Sequence, residues 1–346
     1  HHLRCREWLS AIEFFERANA IQTDPKIEAD LAQAWLQLGY NEKAQVLADS
    51  ALRQKDALQA SEQALVQAMA FKAQSQWEQA ADSYQALNTL FPDEPEYALL
   101  LADARILEGQ PDKAVLVLNR IQLAPDQPFD PRIGLLRARA AQSQAKPDAM
   151  IQHAQAALDQ AQTLGLWRLA AESRLLLCEG LRRKGELDQA FDQAQRARTV
   201  FEQNQDLDGQ AESLLQIGNT HMQKGAFDKA ELLYLQVLDF KLRLGQRNGT
   251  GSALNNIGVI AYQHGDLAKA DQFFSQAKDA FQQAGDIKRT ANTLINLGII
   301  QARLGKYLST FDHYQEADVL YRSLGNVDGQ YRVIHSLATL HHRQGN

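Results

Sequence analysis

The chain has 346 residues, 45% of them hydrophobic and 23% charged, and a formal net charge of −6. It can bury a large core, has no apolar run near the 18 or so residues of a membrane span, and lacks the basic surface that phosphate backbones require. Cys5 and Cys178 stand at no metal spacing and read as two unrelated thiols, although a bridge between them stays open, and abundant Ala, Leu and Gln favour helix nearly everywhere.

Residues 1–25 hold Trp8, Ala11, Phe15 and Ala18, the pattern of the second helix of a hairpin whose first helix is missing; His1-His2 has the look of a tag remnant. Residues 26–165 continue with helix pairs of about 34–36 residues, in which the alanine opening each second helix recurs at Ala11, Ala44, Ala80, Ala114 and Ala149. Leu38-Gly39-Tyr40 marks one turn. Near the end of this stretch Arg137 replaces a small residue and Lys146-Pro147 makes the turn.

From 166 to 346 the period becomes 40. The opening alanine recurs at Ala190, Ala230 and Ala270, with Thr310 next, and glycine recurs at Gly185, Gly225, Gly265, Gly305 and Gly345. A second column reads Gly218, Gly258, Gly298 and Ala338, each preceded by an aliphatic residue. Leu267, Ala270, Phe274, Ala277 and Phe281 form one apolar stripe on a helix. Each unit is therefore helix, tight turn, helix, with glycine as the C-terminal cap. Gly245-Gln246, Gly285-Asp286 and Gly325-Asn326 close the second helices, Gly249-Thr250-Gly251-Ser252 is expected to be a loop between units, and the chain ends on an unpaired first helix. Repeat arrays normally carry polar terminal caps, so these ends suggest a piece of a longer protein.

The spacing of Ala68, Phe71, Trp77, Ala80, Tyr84 and Pro92 resembles the tetratricopeptide repeat, and the 40-residue units resemble its extended version. The resemblance implies an all-α solenoid: a right-handed superhelix of about eight to nine antiparallel helix pairs whose first helices line a concave wall. Within residues 56–121, Gln76-Trp77-Glu78, Phe91-Pro92-Asp93 and Gly109 also resemble the repeat region of bacterial receptor-type serine/threonine kinases and of membrane-anchored winged-helix regulators. That likeness implies a sensory or regulatory part of a larger signalling protein, placed outside the cytoplasm. The alternative is a stand-alone cytoplasmic scaffold or peptide-pheromone receptor.

Stepping 100° per residue along the first helices separates an apolar packing face from a polar one. The polar face holds Gln216, Asn219, Gln223, Asn255, Asn256, Gln263, Asn292, Asn296, Arg303, His335 and Arg343, the candidate peptide-binding groove. Amides both donate and accept, which suits a peptide backbone, and arginine suits a carboxylate. The competing reading is an ordinary solvated helix face.

No catalytic residue, metal site or cofactor is expected. His335 and His342 lie two helical turns apart without a carboxylate at ligand spacing, and His221 and His341 fall at a packing position. Phosphate loops, nucleophile elbows and zinc-protease motifs are absent. Arg182-Arg183-Lys184 complements a helix C-terminus, and Phe273, Phe274, Tyr314 and Tyr321 belong to packing. The expected partner is a protein or peptide, with no nucleic acid and no membrane insertion; a metal-dependent enzyme is the remote alternative.

Overall fold

The computed structural model describes residues 5–37, 40–121 and 130–343. Among them it contains eighteen α-helices and no strand, arranged as an all-α solenoid of helical hairpins. His1-His2, Leu38-Gly39 and Gly345 lie outside the described residues. The chain divides into two compact units, His1–Lys224 and Gly225–Asn346.

The first unit runs through α1 (Cys5–Ile21), α2 (Pro25–Gln37), α3 (Asn41–Arg53), α4 (Ala60–Ala73), α5 (Trp77–Leu90) and α6 (Pro95–Leu107). It continues with α7 (Pro111–Asn119), α8 (Pro131–Ser143), α9 (Pro147–Thr163), α10 (Trp167–Arg183), α11 (Leu187–Gln203) and α12 (Leu207–Gln223). The second unit consists of α13 (Phe227–Arg243), α14 (Arg247–Gln263), α15 (Leu267–Gln283), α16 (Ile287–Arg303), α17 (Tyr307–Ser323) and α18 (Val327–Arg343).

Every helix of the second unit has 17 residues, and three-residue turns join them, so two helices and two turns fill the 40-residue period. The turns work as the glycine column suggests. Gly225, Gly265 and Gly305 have φ of 75°, 81° and 74°, and the residue after each opens the next hydrogen-bonded turn, as where the Asp266 carbonyl accepts from Ala270 N at 3.0 Å while Asp266 N closes α14 on the Ala261 carbonyl at 2.9 Å.

Packing follows a ring-on-glycine rule. A Cβ added at Gly258 would stand 2.9 Å from the Phe274 ring, and one at Gly298 would stand 2.3 Å from the Tyr314 ring, so the bare backbone is what lets the second helix come close. Between hairpins, Phe201 covers Gly209 and Tyr321 covers Gly329 in the same manner. Of the residues that open the second helices, Ala44, Ala80, Ala114, Ala190, Ala230, Ala270 and Thr310 are fully buried, whereas Ala149 is corrected: it is half-buried, and Met150, four residues into α9, takes the buried place. Tyr314, Tyr321 and Phe274 are buried and Phe273 is half-buried, in agreement with a packing role.

Two local expectations are corrected. Gly249, Thr250, Gly251 and Ser252 form no loop; they lie in the first turns of α14, where Gly249 receives the Lys241 stem and Gly251 the Phe281 ring. The turn after α8 has its left-handed residue at Ala145 (φ 56°), so the small residue of that hairpin is Ala138, fully buried, and Arg137 occupies the preceding aliphatic column.

Candidate functional site

Successive first helices present the polar face whose residues the register selects. In the first unit this face belongs to α4, α6, α8, α10 and α12. Three candidates lie on α12. Gln216 is half-buried and its Oε1 is buried with no hydrogen-bond partner. Asn219 is half-buried as well. Gln223 is exposed, and its Nε2 donates to the Arg182 carbonyl at 3.2 Å, which ties it to the end of α10.

Further along the same unit the structure shows what the candidate set did not contain: a ladder of alternating charge. Lys72 on α4 donates to Asp103 on α6 at 2.7 Å, and Arg139 on α8 reaches Asp103 at 3.3 Å and Glu172 on α10 at 3.3 Å. Arg168 then bridges Glu172 at 3.0 Å and Asp206, the residue capping α12, at 3.6 Å. Burial pushes the Asp103 carboxyl up, but the Lys72 ammonium and Arg139 guanidinium outweigh it and hold the group below the usual carboxylate range. At Asp206 burial wins over Arg168, and the carboxyl is raised.

In the second unit the face belongs to α14, α16 and α18. Asn255, Asn256, Asn292 and Asn296 are half-buried, whereas Gln263, Arg303 and His335 are exposed. Asn296 Nδ2 donates to Asn255 Oδ1 at 3.1 Å, so two candidates form one amide pair across neighbouring first helices. The Asn292 oxygen is already engaged, accepting from the Tyr321 hydroxyl at 2.8 Å and from Arg332 at 2.5 Å. Arg303 stacks over the Tyr262 ring at 4.8 Å, and both border a cavity of about 190 Å³ with His335, Ser336 and Thr339. Arg303 has no carboxylate partner among the described residues, so its guanidinium is held in place by an aromatic face and open to an anion. The Arg343 side chain lies outside the described residues.

Among the described residues no group of three His, Cys, Asp or Glu could hold a metal ion. His221 is half-buried edge-on to Phe191 at 5.5 Å. The side chains of His341 and His342 lie outside the described residues. Cys178 is buried and free, and burial pushes its thiol up to about 12, which leaves it protonated at neutral pH. Arg183 pairs with Glu179 on its own helix and Lys184 with Asp148 at 2.8 Å, whereas Arg182 Nε is buried without a hydrogen-bond partner. No helix among the described residues is long and apolar enough to cross a membrane.

Family models described as tetratricopeptide repeat match residues 71–140 and, in two overlapping copies, 209–283 and 249–317, just over half of the chain together. The chain belongs to the tetratricopeptide repeat family. No curated protein matches it. Among solved structures, this tetratricopeptide repeat chain is similar to one from the APC/C hetero-tetramer, with a TM-score of 0.65 and 17% identity over 93% of this chain and 58% of that one. It is similar to a Rap protein solved with Competence and Sporulation Factor, with a TM-score of 0.59, 15% identity, and coverage of 81% and 88%. A signal transduction ATPase with a tetratricopeptide repeat sensor, from Pyrococcus horikoshii, gives 0.57 and 14% over 93% of this chain and 52% of that one. The chain thus spans little more than half the length of two of these structures. At such identities the likeness is one of fold.

Proposed function

We propose that this tetratricopeptide repeat chain is a protein-interaction module that holds an extended peptide segment against the first-helix face of its second unit, with Arg303 receiving a carboxylate of the ligand. The observation that carries this reading is the Arg303 guanidinium, stacked on Tyr262 beside His335 in a pocket and without a carboxylate partner among the described residues. A charge held at the wall of a concave site, flanked by amides that both donate and accept, suits an acidic side chain or terminus followed by main chain. Of the amides, Asn256 and Gln263 fit main-chain contact best, and Asn255 with Asn296 present a joined pair. Asn292 serves packing instead.

The finer reading is that the module is the sensory or regulatory part of a larger bacterial signalling protein. It is supported by the resemblance of residues 56–121 to receptor-kinase and regulator repeats and by the fold shared with a signal transduction ATPase bearing a repeat sensor. The fold shared with a Rap protein solved with Competence and Sporulation Factor favours a second reading, a stand-alone cytoplasmic scaffold or peptide-pheromone receptor.

Both readings use the same face. A peptide library displayed with acidic and neutral termini should yield binders enriched in Asp, Glu or a free carboxylate. Arg303→Gln is expected to weaken them at least about tenfold with no change in melting temperature, since the lost interaction is a charge-assisted pair. Binders that are indifferent to Arg303→Gln and to Asn256→Ala combined with Asn296→Ala would place the ligand elsewhere.

A further inference from the structure

The first unit contains a second cavity, remote in sequence from the candidate peptide face and explained by none of the argument above. Counting eight residues back from the left-handed caps gives Leu101, Leu177, Ile217, Ile257 and Leu297, all buried at 3% exposure or less. In this column Gln67 and Arg137 are the polar exceptions. At Arg137 the neighbourhood is altered too. The preceding second helix, α7, has only 9 residues, against 17 in α9 on the other side. Beside α7, α8 and α9 lies a cavity of about 520 Å³, bordered by Asn119, Arg137, Gln144, Lys146, His153 and Asp112.

The polar groups around this cavity are unbalanced. Arg137 is half-buried and its one partner among the described residues is a neutral oxygen, Asn119 Oδ1 at 3.0 Å. The acid at the rim, Asp112, accepts from the Gln144 amide at 2.7 Å and does not neutralise the arginine. Lys146 adds a second positive charge at the mouth and the half-buried His153 a ring nitrogen. A guanidinium that borders an open cavity with only a neutral side-chain partner among the described residues has donors left for an anion there. Arg137 on α8, Lys146 at the start of α9 and His153 on α9 all border the cavity, more donors than a single carboxylate takes and a number that a phosphate accepts. The volume falls within the range of small-molecule sites and exceeds what a bare oxyanion fills.

We propose that this cavity binds a small phosphorylated molecule, its phosphate gripped by the Arg137 guanidinium with Lys146 and His153 beside it, and its uncharged part lying toward Val115 and Ala149. Asp112 and Gln144 are placed to accept from and donate to hydroxyl groups of that part.

The test is an NMR titration of the intact chain that follows the His153 ring signals at constant ionic strength, with inorganic phosphate, ribose 5-phosphate and acetate as probes. Saturable shifts with both phosphate compounds, tighter for ribose 5-phosphate, are expected. Arg137→Leu restores the aliphatic column, so it should raise the melting temperature while weakening phosphate binding at least about tenfold. Arg137→Gln, which keeps a polar group beside Asn119, should weaken binding to a similar degree. The proposal is overturned if no saturable shift occurs, if acetate binds as well as the phosphates, or if either variant retains parental affinity. Peptide binding by the second unit has no bearing on the result.

Discussion

Residue by residue, the turns show how much conformational freedom the hairpin imposes on whatever side chain stands at the cap. Glycine fills most of these positions, but Ser75, Ala145 and Gln205 adopt φ of 59°, 56° and 55° at the equivalent places. A left-handed β-carbon costs about 1 kcal/mol, partly offset by the greater freedom glycine gives the unfolded chain. Ala145→Gly and Gln205→Gly are each expected to stabilise the protein by roughly 0.5 kcal/mol, read by thermal melting. The opposite change at a packing glycine should be harmful: Gly298→Ala drives a methyl into the Tyr314 ring and is expected to cost about 1–3 kcal/mol. The glycine caps were legible from the sequence because few residues tolerate that conformation and their period is strict. The caps at Ala145 and Gln205 were not, since there the hairpin geometry, and not the residue, dictates the backbone. That is why the turn was expected at Lys146-Pro147.

At the scale of the helix, the charge ladder from Lys72 to Asp206 joins five first helices through side chains with few alternatives. Asp103 is its centre, with a side chain 17% exposed and two cations on it. Asp103→Asn leaves Lys72 and Arg139 facing a neutral amide and should cost about 2 kcal/mol near neutral pH. The pH dependence has a definite sign. A carboxyl whose folded value lies below its unfolded one contributes stability above the ordinary carboxylate range and loses it as the pH falls through the folded value. The difference in melting temperature between parent and variant should therefore shrink from neutral pH toward about pH 3. The ladder was within reach of the sequence. Six residues before the caps, Asp103 and Arg139 stand in the same column as Glu179 and Asn219, but the irregular period of residues 26–165 blurs that column in the sequence. Side-chain pairing was the part that could not be read: nothing in the spacing shows that Asn292 turns to Tyr321 and Arg332 whereas Arg303 stacks on Tyr262.

At the scale of the molecule, each helix within a unit packs chiefly on its neighbours in sequence, so stability accumulates from one hairpin to the next inside each unit. The helices at the two ends have fewer such neighbours. Hydrogen exchange is expected to show weaker amide protection in α1 and α18 than in α10 or α16, with protection rising inward over the first hairpins; uniform protection along the chain would contradict nearest-neighbour stabilisation. The fold class was readable at this scale because one period, repeated with the same small and large residues, can bury its apolar stripes only by stacking. Chain patterning fixes which helices adjoin; it carries much less information about ligands, whose recognition depends on a few side chains that the repeat leaves free to vary.

The pairing of ring and glycine has a practical corollary. Phe274 rests on Gly258 and Tyr314 on Gly298, each pair lying inside a single 40-residue module, while Tyr321 meets Gly329 across a junction of constant length. Every knob and its socket therefore travel at a fixed offset. A splice that removes or duplicates one whole module in the second unit would bring matching surfaces together at the seam, and the array could be shortened or extended like a ruler cut at its graduations.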